Sequence, residues 1–146
     1  MRLNEDWRQF IELLNSHDVE YLIVGGFAVS FHAEPRFTGD LDVLVRPSPD
    51  NAAKLLEAIR AFGLGALGVT TQDLQQEEQI IQFGYRPRRI DIVTSITAVP
   101  FEEAWASRVP SKLDGIPVHF IGREALIRNK RAVGRERDRA DLKMLN

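Results

Sequence analysis

The sequence predicts an α+β domain in which a β-sheet is flanked by helices and the C-terminus is helical. Three observations carry that expectation. Short β-branched and aromatic runs of strand length recur between turn residues, as in Tyr21-Leu22-Ile23-Val24, Leu41 to Val45 and Arg89 to Val93. Amphipathic stretches lie among them, beginning with Trp7, Phe10, Ile11 and Leu14 at helical spacing. From Arg123 onward the composition is helical, with one break near Gly134.

The elements follow in order. Asn4 is a natural N-cap for a helix over Asn4 to Ser16, with Glu5 and Asp6 in its first turn. The run Tyr21 to Val24 reads as a buried strand ending at Gly25-Gly26, where a helix opens with Phe27, Ala28, Phe31 and His32 on one side. Pro35 breaks that helix, and the strand Leu41 to Val45 follows, carrying Asp40 and Asp42. Ser48 with Pro49 starts a helix whose Leu55, Leu56, Ile59 and Phe62 form one apolar stripe, ended by Gly63 and Gly65. Gly63 to Gln76 reads as a loop with one helical turn from Thr71. Gln79 to Phe83 and Arg89 to Val93 form a hairpin. Pro100 to Ala106 is a short helix burying Phe101, Ala104 and Trp105, and Asp114-Gly115 marks a tight turn feeding a strand from Val118 to Ile121. Two helices close the chain, Glu124 to Ala132 and Arg135 to Leu145, with Leu142 and Leu145 inward.

Composition sets the boundaries. A chain of 146 residues has the length of one domain, residues 1–146, and its 44% hydrophobic content is enough for a core. The formal charge of -2 gives no global basic field, so non-specific nucleic-acid binding is not implied. With no cysteine, disulfides, thiolate zinc sites and a cysteine nucleophile are excluded, and a cytoplasmic setting is expected. No apolar run approaches membrane-spanning length, so no membrane partner is expected.

The most informative feature is a glycine turn followed by spaced carboxylates. Free backbone N–H groups after Gly25 make the start of the following helix a place where phosphate is stabilised. In a strand, side chains alternate faces, so Asp40 and Asp42 share one face while Leu41 and Val43 take the other. Two such carboxylates lie roughly 6 to 7 Å apart and repel by about 2.5 kcal/mol at an effective dielectric of about 20, a cost that calls for a cation. Oxygen ligands favour magnesium, which completes its shell with waters and substrate phosphates. Asp91, between Ile90 and Ile92, repeats the pattern; if its strand lies beside the Asp40/Asp42 strand, three carboxylates converge.

A strand, Gly25-Gly26, Asp40-Leu41-Asp42 on the next strand and Asp91 inside a further strand together resemble the nucleotidyltransferase fold of the DNA polymerase β superfamily. The closer resemblance is to small stand-alone prokaryotic nucleotidyltransferases, including the toxin side of toxin–antitoxin and abortive-infection systems. The tail Lys130 to Leu145 is similar to that group's C-terminal helices. The resemblance implies a nucleotidyltransferase-like mixed β-sheet and an enzyme that moves a nucleoside monophosphate from a triphosphate such as ATP to a hydroxyl. Asp40, Asp42 and Asp91 are then the catalytic, metal-holding acids for two Mg2+ ions, with Asp91 lowering the pKa of the attacking hydroxyl. Gly25, Gly26, Thr38 and Lys130 are the nucleotide-binding residues. Gly26 stands where many members carry serine. Acceptors compatible with the resemblance are tRNA, a protein or a small molecule. A chain of this size lacks a separate acceptor-recognition domain, so a partner protein or a second copy is expected to supply one. The alternative is a catalytically silent nucleotide-binding or regulatory module of the same fold.

Plainer readings stand beside these. Asp91 can be an edge-strand charge paired with Arg89, and Gly25-Gly26 a mere turn. Thr38 and Arg36 either orient phosphate or cap the strand. Arg86-Pro87-Arg88-Arg89 is either a solvated hairpin tip or a contact for a nucleic-acid backbone. Lys130, Arg131, Arg135, Arg137 and Arg139, interleaved with Glu136, Asp138 and Asp141, read as helix-surface ion pairs. His17, His32 and His119 lack metal-ligand spacing and read as structural, and Trp7 and Trp105 as core anchors.

Overall fold

In the computed structural model, which describes residues 2–146, the chain begins as its capping chemistry dictates. The Asn4 side chain accepts the Trp7 N–H at 2.9 Å and opens α1 (Glu5–Ser16), which buries Trp7, Phe10, Ile11 and Leu14. The fully buried β1 (Tyr21–Val24) passes into α2 (Gly25–His32) with no intervening loop. That abrupt reversal needs the positive φ of +67° at Gly25. After the loop at 33–39 comes β2 (Asp40–Val45), then α3 (Pro49–Ala61), capped by Ser48 with Pro49 at its first position. A 3-10 turn at Gly65–Leu67 leads to α4 (Thr71–Gln75), where Thr70 and Asp73 form a capping box. Next are β3 (Ile80–Phe83), β4 (Arg89–Val93), α5 (Phe101–Ala106), β5 (Val109–Leu113) and β6 (Ile116–Phe120). The hairpin between β5 and β6 turns on Asp114 and Gly115, both at positive φ (51° and 79°). The chain ends in α6 (Arg123–Val133) and α7 (Glu136–Leu145), separated by Gly134 at φ +68°.

The six strands form one mixed sheet in the order β3-β4-β2-β1-β6-β5. β1 runs antiparallel to β2, β2 parallel to β4 and β1 parallel to β6, while β3/β4 and β5/β6 are antiparallel hairpins. The α+β expectation is met, with one sheet and seven helices among the described residues. Paired residues share a face of the sheet. One face of β2 and β4 therefore carries Leu41, Val43, Ile90 and Ile92, all buried. On that side Phe10 of α1 meets Phe83 of β3 and Phe62 beyond α3 edge to face, with ring centres 6.4 and 5.3 Å apart. The other face carries Asp40, Asp42 and Asp91. Among the described residues no helix is long and apolar enough to cross a membrane.

Several expectations are corrected. β4 is an interior strand, so Asp91 is not an edge-strand charge. The last strand begins at Ile116 rather than Val118, because the Asp-Gly turn is tight enough for pairing to start beside it, opposite β5. In α2 Phe27 and Ala28 are buried as expected and Val29 joins them, while Phe31 is 40% exposed and lies flat on Phe120 with ring centres 4.1 Å apart. Trp105 is half-buried, its ring covered by the Arg108 guanidinium 4.0 Å from the ring centre. His32 is structural as expected, its Nε2 2.7 Å from the Ile121 carbonyl.

The polar anchor that periodicity does not announce is Asn51, 2% exposed at the start of α3. Its side-chain oxygen accepts the Glu20 N–H at 2.7 Å, and its Nδ2 donates to the Glu20 and Arg46 carbonyls at 3.0 Å each. The side chain thus ties the entrance of β1 to the exit of β2. Asn51→Ala removes the side-chain acceptor of the Glu20 N–H and a donor to each of two carbonyls, of which the Glu20 carbonyl still accepts the Arg46 N–H at 3.2 Å. The substitution should lower unfolding free energy by about 1 to 3 kcal/mol, read as a reduced urea midpoint in circular dichroism.

Candidate metal centre and phosphate cradle

The register of β2 against β4 builds the site. Asp42 pairs with Asp91 across the parallel ladder, and Asp40 sits two residues up the same face. One carboxylate oxygen from each of the three lies within 4.8 Å of the others. That is tighter than the spacing expected from strand geometry alone, because the side chains lean together. Asp91 is 7% exposed. Burial, followed by the hydrogen bond and charge of Asp91 and the charge of Asp40, pushes the Asp42 carboxyl up to about 7. At Asp40 burial works upward too, but the hydrogen bond of Arg86 and the charge of Arg89 outweigh it and hold the carboxyl below its ordinary value.

Two arginines offset this crowding. Arg89, one pleat from Asp91 on β4, places Nε 3.3 Å from Asp40 Oδ1 and 3.1 Å from Asp91 Oδ1, and Nη2 donates to Asp91 Oδ2 at 3.2 Å. Arg86, at the tip of the β3–β4 hairpin, donates to both oxygens of Asp40 at 2.8 and 3.0 Å. Asp91 Oδ1 is buried and, despite the nearby Arg89 Nε, receives no properly directed hydrogen bond. Three clustered carboxylates with one undersatisfied buried oxygen fit a hard divalent cation.

The glycine turn is fitted to these acids. A Cβ at Gly25 would lie 2.1 Å from Asp42 Oδ2, so only glycine lets that carboxylate rest against the β1–α2 junction. No side chain caps α2 and no acid sits in its first turn, so its leading amides remain available to an anion. At Gly26 a Cβ would meet the Thr38 methyl at 2.5 Å. The Thr38 side chain occupies the space that a serine at position 26 would need, which accounts physically for glycine there.

Gly25, Gly26, Thr38 and the three acids line one cavity of about 520 Å³. Its wall also includes Arg36, Arg86, Arg135 and Arg137, and on the β3 side the exposed Ile80 and Gln82. Lys130 lies in this wall but is buried, donating to Asp141 Oδ2 at 2.9 Å and Asp138 Oδ1 at 3.3 Å. Arg36 pairs with the same Asp141. Asp138 feels burial upward, but hydrogen bonds from Arg135 and Lys130 prevail and hold it down to about 2. The surface-ion-pair expectation for this tail is therefore corrected: Lys130, Asp138 and Asp141 form an interior cluster joining α6, α7 and the loop before β2.

Sequence reasoning singled out Asp40, Asp42, Asp91, Gly25, Gly26, Thr38 and Lys130, and the fold brings all seven to one cavity, although the Lys130 ammonium is held by Asp138 and Asp141. It missed the grip of Arg86 on Asp40, since a Pro-containing arginine run reads as a solvated tip. It also missed Asp138 and Asp141 as buried groups, because acids three residues apart on a charged helix look like a wet face. No family model matches the chain, and no curated protein matches it.

The raised Asp42 carboxyl has a consequence for stability. Its folded-state pKa lies above the ordinary 3.8, so the stability it contributes is present below about 4 and lost as pH rises through about 7. Asp42→Asn removes that loss. In metal-free buffer the variant should melt roughly 5 °C above wild type at pH 8, with the difference shrinking toward pH 5 in paired thermal scans.

Proposed function

We propose that the chain is a metal-dependent nucleotidyltransferase that transfers a nucleoside monophosphate from a nucleoside triphosphate to an acceptor hydroxyl. One observation carries the reading: three carboxylates from two paired strands have oxygens within 4.8 Å, and one of them rests on the glycine that opens an uncapped helix. Cation-binding and phosphate-binding groups then face the same cavity.

Asp40, Asp42 and Asp91 would hold two Mg2+ ions, which when bound supply charge to the attacking and leaving oxygens. The chain's own groups do the rest. The leading amides of α2, freed by Gly25 and Gly26, bind the β- and γ-phosphates. Arg36 and Arg137 in the cavity wall add positive charge around them. Asp91, on the interior strand, orients the acceptor hydroxyl. The new bond joins the acceptor oxygen to the α-phosphorus, the bond to pyrophosphate breaks, and the hydroxyl proton leaves to solvent. Lys130 supports the wall through Asp138 and Asp141. Tying the activity to a toxin–antitoxin or phage-defence pair, with tRNA or a protein as acceptor, rests on the sequence resemblance. A catalytically silent nucleotide-binding module is the second reading, favoured by the engagement of both Asp40 oxygens with Arg86.

Incubation with α-labelled nucleoside triphosphates, Mg2+ and cell extract should label an acceptor, and Asp42→Ala should abolish the label. Equal behaviour of wild type and variant rejects the transferase. Tight nucleotide binding with no turnover across metals and acceptors selects the silent module.

A further inference from the structure

Among the described residues, Arg86 is the cation of the site whose hold rests on Asp40 alone. Its Nε and Nη2 donate to Asp40 Oδ1 and Oδ2 at 2.8 and 3.0 Å, so both oxygens of that carboxylate are covered by one guanidinium. Arg89 differs: its side chain is 23% exposed and it also binds Asp91. The Arg86 side chain is 57% exposed, springs from the turn between β3 and β4, and has no other carboxylate partner among the described residues. It reaches Asp40 by lying across Gly39, where a Cβ would meet Arg86 Cγ at 3.2 Å. A divalent cation cannot take Asp40 without displacing or sharing this contact, and its charge replaces what the guanidinium supplies.

A displaced Arg86 has one class of partner left in reach. The remaining cavity acids are Asp42 and Asp91, which the cation would also engage, and the buried Asp141, already paired with Lys130 and with Arg36 at the rim. The anion that arrives with the metal is a triphosphate, and a fork of guanidinium donors suits its oxygens.

Resting on the nucleotidyltransferase reading, we propose that Arg86 exchanges partners on loading: it neutralises Asp40 until a divalent cation takes that carboxylate, and then binds the phosphates of the incoming nucleotide. Metal alone and metal with nucleotide are thereby affected in opposite senses by the same side chain. Arg89, less exposed and bridging Asp40 and Asp91, keeps the carboxylates together, and the more exposed Arg86 answers to occupancy.

The test measures Mn2+ binding to the full chain by electron paramagnetic resonance of the free ion, then binding of a non-hydrolysable nucleoside triphosphate at saturating Mn2+. Wild type is compared with Arg86→Gln, with Arg88→Gln and with Asp42→Asn. Arg88 sits on the same tip and lies 3.9 Å from Asp6, so its loss removes equal charge without touching Asp40. Arg86→Gln should bind Mn2+ roughly threefold to tenfold tighter than wild type and the triphosphate analogue about tenfold weaker, with Arg88→Gln near wild type in both. Equal tightening by the two arginine variants overturns the exchange and leaves the metal centre standing, as does tighter or unchanged analogue binding by Arg86→Gln. If no protein binds Mn2+, or Asp42→Asn binds it as wild type does, the metal-centre reading falls and the exchange falls with it.

Discussion

The parallel pairing of β2 with β4 in the register Asp42 to Asp91 is the constraint on which the remaining structure depends. It sets like charges side by side on a half-buried face, an arrangement that raises the energy of the folded chain unless something offsets it. Three devices do so. Arg89 spans Asp40 and Asp91, Arg86 covers Asp40, and the raised Asp42 carboxyl retains a proton further toward neutrality than an exposed aspartate does. The same constraint reaches across the sheet to β1, where Val24 pairs with Asp42 and the next residue must be glycine to admit the carboxylate. Such a cluster costs the fold stability, and a bound divalent cation would offset that cost.

A second set of charges holds the frame. Lys130, Asp138 and Asp141 are buried together, with Arg36 and Arg135 reaching in from the rim. Buried ion pairs are costly to desolvate and add little net stability. Their effect here is geometric. They fasten both C-terminal helices to the loop carrying Thr38, so the side chain that faces Gly26 is set by residues a hundred positions away. The cavity wall and the end of the chain are therefore one mechanical unit.

Much of this was legible in the sequence because local rules and the global fold agree. Asn4 and Ser48 cap the helices that follow them, Asp114-Gly115 turns the last hairpin, and the alternation in DLDVLV separates carboxylates from core. What stayed hidden are partnerships between distant residues. Periodicity ranks a residue by its own element, so it places Asp138 and Asp141 on a wet surface and Arg86 on a free tip. Only the packing of α7 near the loop at 33–39, and of the hairpin tip over Gly39, gives them their partners. Phe31 and Trp105 went astray similarly: their spacing suits a core, but rings stacked on Phe120 and under Arg108 satisfy them nearer the rim.

The indole of Trp7 lies on the far side of this arrangement. Its Nε1 donates to the Arg89 carbonyl at 3.1 Å while its ring stands edge-on to Phe27, a residue of the helix that starts at the glycine turn. One aromatic side chain thus touches the backbone of the acid-bearing strand and the flank of the helix that opens at Gly25 together. The chain carries its own unlabelled fluorophore at their junction, and any ligand that moves strand and helix apart will register in its emission.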